Sequence, residues 1–496
     1  MSKLINVKGI ILSNTGNITT KSGQPFANND HALTAGLRGP LLMQDYQLVE
    51  KLAHFNRERI PERIVHAKGS GAMGTFTLTH DMSAYTMADV FNEVGKETDV
   101  FARFSSVAGE QGYPDTLRDV HGFAVRFYTN DGNYDIVGNN TPVFFINDPY
   151  KFPDFIHSQK RDPRTGLRDD NMQWDYFANS PESLHQVTIL FSNRGLPYGY
   201  GYMHGYGSHT YKWVNKTGEQ FWIKYHFKSN HGIKNMSPTD AKVMASENTD
   251  WHRQEMFAAI EEGDYPSWTL KVQIIPYDEG LNYVHDIFDV TKVVSQQDYP
   301  LIEVGQLELN RNPDNFFQDV EQAALAPSNL VPGIEASPDK VLQGRLFGYS
   351  DAQRYRLGAN YQDLPVNRPQ NIVHSYERDG QMATQNDDSG VNYAPNSHDN
   401  LKVSPHASLH GDLVSGQVGA YDPVDSDFYT QAGHLYRLMS ESEKDSLTQA
   451  ISESLGRIDS KEIQDRQIDL FFKADNDYGQ RVMDKISQLN KEDTEQ

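Results

Sequence analysis

The sequence predicts an α+β protein: antiparallel strands closed as a barrel or stacked as a sandwich, then a long irregular segment, then C-terminal helices. Three observations carry this. Between about residues 70 and 300, segments such as 75–79, 99–107, 122–129, 134–138, 185–192, 219–228 and 268–276 are alternating, β-branched or aromatic, which reads as strand. Short turn signals join neighbours: Asn130-Asp131-Gly132-Asn133 and Lys216-Thr217-Gly218 each read as hairpins, and hairpins make antiparallel sheet. The last 60 residues return to a helical period, with Leu447, Ile451, Leu455 and Ile458 on one stripe and Tyr478, Val482, Ile486 and Leu489 on another.

The elements follow in order. Residues 1–45 are Asn/Gly/Thr-rich without period and read as an arm. A helix follows at 41–55, where Leu48, Leu52 and Phe55 share a face. Ser237-Pro238-Thr239-Asp240 is a helix start, with an N-cap hydroxyl, Pro at the first helical position and an early acid. A helix through Trp251 to Ile260 stops near Gly263. Residues 300–420 carry Pro, Asn, Asp and Gly with little period; a stretch of that length reads as an extended arm wrapped over something, such as a neighbouring subunit. Ser440 and Glu443 fit a capping box.

Composition bounds the function. The chain has 496 residues, a length typical of two or three domains, and no cysteine. Disulfides, iron–sulfur clusters, thiolate-bound haem and Cys nucleophiles are therefore excluded, and any metal must be held by His, carboxylate, Tyr, Met or backbone oxygen. The formal net charge of −22 argues against nucleic acid and anionic membranes. No apolar run approaches the roughly 18 residues of a membrane span. The N-terminal apolar patch is shorter than the roughly 7–15 residues of a signal core, so no cleavable signal is expected.

Some motifs mislead. Gly69-Ser70-Gly71-Ala72-Met73-Gly74 fits the dinucleotide fingerprint, but a strand-like segment follows it where a helix is needed. The aromatic and glycine-rich tract around residue 200 reads as a tight connection. No H-E-x-x-H occurs, so a zinc hydrolase is not expected.

Two segments concentrate chemistry. Residues 55–74, FNRERIPERIVHAKGSGAMG, gather Arg57, Arg59, Arg63, His66 and Lys68 around Ile64 and Val65. Residues 345–358, RLFGYSDAQRYRLG, place Arg345 one turn before Tyr349 if helical. Taken singly, each has a bland reading: a structural His, a packed Tyr, a solvated row of Arg. Together, FNRERIPERIVHAKG resembles the active-site signature of the haem-containing monofunctional catalases of small-subunit type, and RLFGYSDAQ resembles their proximal ligand signature. The segments GNYDIVGNNTPVFFINDPYKFPDFIHSQKRDP, FARFSSVAGE and GYGSHTYKWVN also resemble the family, in its order, from about residue 25 to 490.

The resemblance implies an eight-stranded antiparallel β-barrel core within an α+β fold. It divides the chain into an N-terminal arm (1–48), a barrel haem domain (49–299), a wrapping segment with the proximal ligand helix (300–418) and a C-terminal helical domain (419–496). It implies haem b with Tyr349 as axial iron ligand, supported by Arg345. His66 and Asn139 become the catalytic pair, with Ser105 bonding the second imidazole nitrogen. Arg63, Arg103 and Arg356 are the haem propionate partners, Val65 and Phe152 apolar haem contacts, and Val65 and Asp119 residues of the substrate channel. His54 lies in the same segment but does not match the family's catalytic His.

The implied reaction is disproportionation of hydrogen peroxide, 2 H2O2 → O2 + 2 H2O, through an oxoferryl intermediate, in a cytoplasmic or alternatively periplasmic homotetramer. NADPH stays open. His185, Ser192, Arg194 and Lys228 match the family's NADPH positions, but Val294-Ser295-Gln296 stands where many NADPH-binding members have Trp and His, and His204 replaces a common Asn. Met73 replaces a common Phe or Tyr. The rival classes are a hydroperoxide-transforming haem enzyme, against which Asn139 and Val65 in family-like contexts argue, and a non-enzymatic haem protein on the same scaffold, which predicts a lost distal pair, yet His66 and Asn139 stand.

Overall fold

A computed structural model describes residues 16–384, 390–398, 401–411 and 415–495. The chain forms two units, Met1–Pro61 and Glu62–Gln496. In the first, helix α1 (Tyr46–Phe55) starts at Asp45, whose carboxylate accepts from the amides of Leu48 (3.2 Å) and Leu33 (2.8 Å). The helix therefore begins later than the sequence period suggests and runs across the arm boundary expected at residue 48. Leu52 and Phe55 of its apolar stripe are exposed.

In the second unit, β1 (Gly69–Leu78), β2 (Glu97–Ser106), β3 (His121–Thr129) and β4 (Gly132–Asn139) form an antiparallel meander. Gly132, at φ 117°, turns β3 into β4. Three helices follow, α2 (Phe152–Gln159), α3 (Asp170–Asn179) and α4 (Leu184–Phe191). Next come β5 (Gly205–Tyr206), β6 (Tyr211–Val214), β7 (Gln220–Ser229), α5 (Pro238–Glu247), α6 (Trp251–Glu262), β8 (Ser267–Pro276), α7 (Tyr277–Leu281), β9 (Ile302–Arg311), β10 (Ile334–Ala336) and α8 (Lys340–Leu357). Helices α9 (Thr430–Leu438), α10 (Glu441–Leu455), α11 (Lys461–Ala474) and α12 (Asn476–Glu495) end the chain.

Strands β1, β2, β3, β4, β5, β7, β8 and β9 close into an eight-stranded antiparallel barrel, with β6 and β10 added at the β7 edge. Its interior is full. Phe104, Phe123 and Trp268 meet with ring centroids 5.1–5.5 Å apart, among Phe76, Val125, Tyr225 and Leu307, all buried. Helices α9–α12 pack with α3 and α4 around Trp174, Leu447, Ile451 and Tyr478, and Ser440 and Glu443 form the capping box of α10.

Two expectations change and one holds. The run 185–192 is helix α4, because an unbroken buried apolar run has no period to separate strand from helix, and here helices surround it. The G-x-G-x-x-G lies within β1, paired with β2 throughout and with β9 at Met73 and Gly74, so no helix N-terminus exists there for a pyrophosphate. The barrel does not end at residue 299, since β9 pairs with both β1 and β8. Its alternation is obscured by Gly305 and by register shifts in both pairings.

One buried ion pair ties the barrel to the segments that cover it. Arg126 of β3 meets Asp135 of β4 bidentately (Nε–Oδ1 2.8 Å, Nη2–Oδ2 2.7 Å). Arg126 also donates to the carbonyls of Ala324 (2.6 Å) and Val366 (3.2 Å), and Asp135 accepts from the amide of Ala326 (2.9 Å). Asp135→Asn leaves a buried guanidinium without its counter-charge, a loss of roughly 3–5 kcal/mol. The expected result is a lower denaturation midpoint, with residues around 324–326 exchanging amide hydrogens early; an unchanged midpoint would contradict this role.

Candidate active site

With the interior filled, only the outward face of the strands is open to a ligand. Period two puts Phe101, Arg103 and Ser105 of β2 outward, opposite Val100, Ala102 and Phe104 in the core. Register then aligns outward residues of four strands. Gly69, Ser105, Gly122 and Asn139 form one cross-strand row, and Gly71, Arg103, Ala124 and Val137 the next. Ser105 and Asn139 therefore stand two strand spacings apart, roughly 10 Å, with a glycine between them.

His66 fills that gap. Its backbone has φ 62°, a left-handed conformation rare for a residue with a side chain, and its amide donates to the Val107 carbonyl at 3.1 Å. Its Nδ1 lies 2.8 Å from Ser105 Oγ. A Cβ at Gly122 would collide with Ser105 Oγ and stand 2.6 Å from His66 Nδ1, so glycine is what lets the imidazole lie here. Burial, then Arg103, Arg345 and Arg63, depress His66 to about 3. Asn139 is buried with its Oδ1 unpartnered.

Tyr349 and Arg345 lie one turn apart on α8. Arg345 Nη2 donates to Tyr349 Oη at 2.6 Å and to the Val137 carbonyl at 2.9 Å. Burial alone would lower Arg345, yet the phenolic oxygens of Tyr349 and Tyr211 hold it above its usual value. Tyr349 packs with Val137, Ala124, Met73 and Val320. Val65, Phe144 and Phe152 border a different cluster, that of the helices, and the rings of Phe144 and Phe152 stack at 6.4 Å.

Arg63 and Arg356 converge on residues 320–323, and buried Arg103 lies within the electrostatic reach of Glu321. Arg63 Nη2 donates to the carbonyls of Val320 (3.1 Å), Glu321 (2.9 Å) and Ala323 (2.9 Å). Arg63 and Arg356 both face Glu321 Oε1, at 3.5 and 3.3 Å. Arg103 is buried with its Nε unpartnered. Burial first, then repulsion from Arg103 and Arg356, drives Arg63 well below the usual guanidinium range. Such crowding of buried cations calls for further anionic charge.

A cavity of about 360 Å3 lies under Val107, Ala108, Asp119, Phe145, Gln159 and Leu190. It reaches Val107, the residue that holds the His66 amide. Asp119 is buried, its Oδ2 accepts from the Ala108 amide at 2.8 Å, and burial raises its carboxyl to about 6.

The four positions matched to NADPH do not converge. Arg194 and Lys228 line a second cavity, of about 310 Å3. His185 turns inward to the Thr291 carbonyl (3.3 Å), and Ser192 Oγ donates to the Ile189 carbonyl (2.7 Å); neither lines that cavity. His54 sits in the last turn of α1, 3.6 Å from Glu58 and largely exposed.

The sequence reading missed two supporting groups. Asp339 caps α8, accepting from the amides of Val341 (2.9 Å) and Leu342 (3.0 Å), and its second oxygen lies 2.6 Å from Nδ1 of buried His209. Ser-Pro-Asp-Lys ahead of the helix was the signal for the cap; for His209 there was none.

Residues 19–400 match the family model described as Catalase, and 423–486 match one described as Catalase-related immune-responsive. A catalase of Latilactobacillus sakei is 63% identical over 472 residues, spanning 95% of this chain and 98% of that protein. Catalase A of Pseudomonas putida is 55% identical over 467 residues, spanning 94% and 97%. A solved bacterial catalase structure superposes with a TM-score of 0.93 at 48% identity, covering 97% of this chain and 98% of the other. An outward histidine and asparagine, a helix-borne tyrosine and a similarity that runs nearly end to end agree: this chain belongs to the catalase family.

Proposed function

We propose that this chain is a haem catalase of the small-subunit type, converting 2 H2O2 to O2 + 2 H2O. The observation that carries the reading is the row on which His66, held by Ser105, lies beside Asn139, together with the Arg345–Tyr349 pair on α8.

The residues fit a haem. Gly122 opens space beside His66, and Asn139 and Arg103 keep buried polar atoms without partners. Tyr349 offers an oxygen ligand in a chain without thiolates, and Arg345 stabilises its phenolate through a charge-assisted bond. Arg63, Arg103 and Arg356 supply the cations that two propionates require. Val65 and Phe152 offer apolar contact to the ring. When bound, the haem iron supplies the redox chemistry that breaks the O–O bond of one peroxide and oxidises a second.

The chain's own residues handle protons and access. With its proton on Nδ1, His66 donates to Ser105 Oγ and presents a bare Nε2 lone pair. Nε2 takes the proton from one peroxide oxygen and returns it to the other, which leaves as water. Burial and then the cationic surroundings hold His66 near 3, which makes the charged ring short-lived and favours that return. Asn139 donates through its amide and does not titrate, so it orients peroxide without competing for the proton. Asp119 and Val65 border the approach, and a narrow passage admits peroxide ahead of bulkier reductants. A homotetramer fits the apolar side chains left uncovered on α8, Phe347 at 73% exposure and Tyr355 at 78%.

Visible spectroscopy with an oxygen electrode tests the reading. The purified chain is expected to show high-spin ferric haem and rapid O2 release, and Tyr349→Phe to lose the haem or its ligand signature. His66→Ala should keep haem but lose about 10²–10⁴-fold in turnover. A chain that binds no haem, or a His66→Ala variant near full rate, would overturn the assignment. The pH profile gives a second check. Since His66 protonates near 3 rather than 6.5, it is neutral across pH 5–8, and turnover should show no imidazole inflection near 6.5. In the unfolded chain the same ring takes its proton near 6.5, so stability present above that pH is lost as pH falls toward 3. An activity step near 6.5 that His66→Gln abolishes would contradict a neutral resting imidazole.

A further inference from the structure

The second cavity differs from what a dinucleotide needs. On β7, Ile223, Tyr225 and Phe227 point into the barrel, so Lys224, His226 and Lys228 form an outward row, spaced roughly 6.5 Å apart. Arg194 faces the row from the turn after α4. The lining holds three cations and no carboxylate. Lys224 is 92% buried yet has no hydrogen bond or ion pair among the described residues; Asp339, Asp289 and Asp286 act on it electrostatically but do not line the cavity. Ser208 Oγ is buried without a partner. His226 donates through Nε2 to Gln273 Oε1 (3.1 Å), because the Gln273 amide is spent on the carbonyls of Val294, Ser295 and Tyr299. That fixes its tautomer and leaves Nδ1, also buried and unpartnered, as an acceptor.

The same walls disfavour NADPH. The 310 Å3 lies at the lower edge of the roughly 300–1,000 Å3 that holds a drug-sized ligand, and a dinucleotide is larger. The cover, Val293 to Gln296, offers no aromatic face. The Tyr206 ring is already used, by Lys228 Nζ at 5.1 Å and by the His226 ring at 5.3 Å. His185 and Ser192 are turned into the protein, and His204 Nδ1 accepts from the Ser229 amide (3.1 Å).

We propose that this cavity excludes NADPH and instead binds a small oxyanion that carries a hydroxyl, of the hydrogen-phosphate class. Lys224, Lys228 and Arg194 neutralise its charge, Ser208 adds a donor, and His226 Nδ1 accepts from its O–H. The proposal concerns a site separate from the peroxide chemistry and stands whether or not His66 acts as described.

The test is calorimetric titration of the full-length holoenzyme, in phosphate-free buffer, with inorganic phosphate and, separately, NADPH. Saturable phosphate binding at one site per chain is expected, with no saturable NADPH binding. Lys224→Met should weaken phosphate at least tenfold; Lys228→Met, at a less buried position, does the same and decides the matter if the first variant does not fold. Absent phosphate binding, NADPH binding as tight as phosphate, or affinity unchanged in the folded variants would each overturn the proposal.

Discussion

Strand alternation on β1 to β4 is the constraint from which the rest of the site follows. Once Phe104, Phe123 and Trp268 fill the barrel, their sequence neighbours must face out, and register sets Ser105, Gly122 and Asn139 side by side. A one-residue slip would send Ser105 and Asn139 into the core. The row of Ser105, Gly122 and Asn139 is therefore as stable as the strands that carry it, and no mobile loop is needed to align these residues. The left-handed backbone at His66, a strain of about 1–3 kcal/mol, is tolerable because the flanking chain is pinned by the His66–Val107 hydrogen bond and by β1.

Electrostatics follows from the same placement. A chain of net charge −22 gathers Arg63, Arg103, Arg356 and Arg345 around one outward face. Burial first, then the field of these arginines, keeps His66 neutral, and the same field suits an added anionic group. One Asp339 carboxylate both starts α8, the helix that carries Arg345 and Tyr349, and holds His209.

Much of this was legible in the sequence, for identifiable reasons. Hairpin turns, the Ser440 capping box and the alternation of β2 and β3 are local signals, and the structure keeps them. Arg345 and Tyr349, four residues apart, needed only a helix to meet. What was not legible depends on tertiary context. Residues 185–192 carry no period, so burial among helices decided their form. Strand β9 hid behind a glycine and irregular pairing. Glu321, Gly122 and His209 sit far in sequence from the groups they serve, and no short-range pattern marks them. The matched NADPH positions show the converse: residue identity was legible, but the inward turn of His185 and Ser192 was not.

Disproportionation and peroxidation of another donor differ in what becomes of the second peroxide. The direct test is gas stoichiometry: dioxygen released against peroxide consumed by the purified haem-loaded chain, without added reductant. Disproportionation on this face yields one O2 for every two H2O2. Peroxide consumption that yields little O2, or that requires an added electron donor, would contradict it.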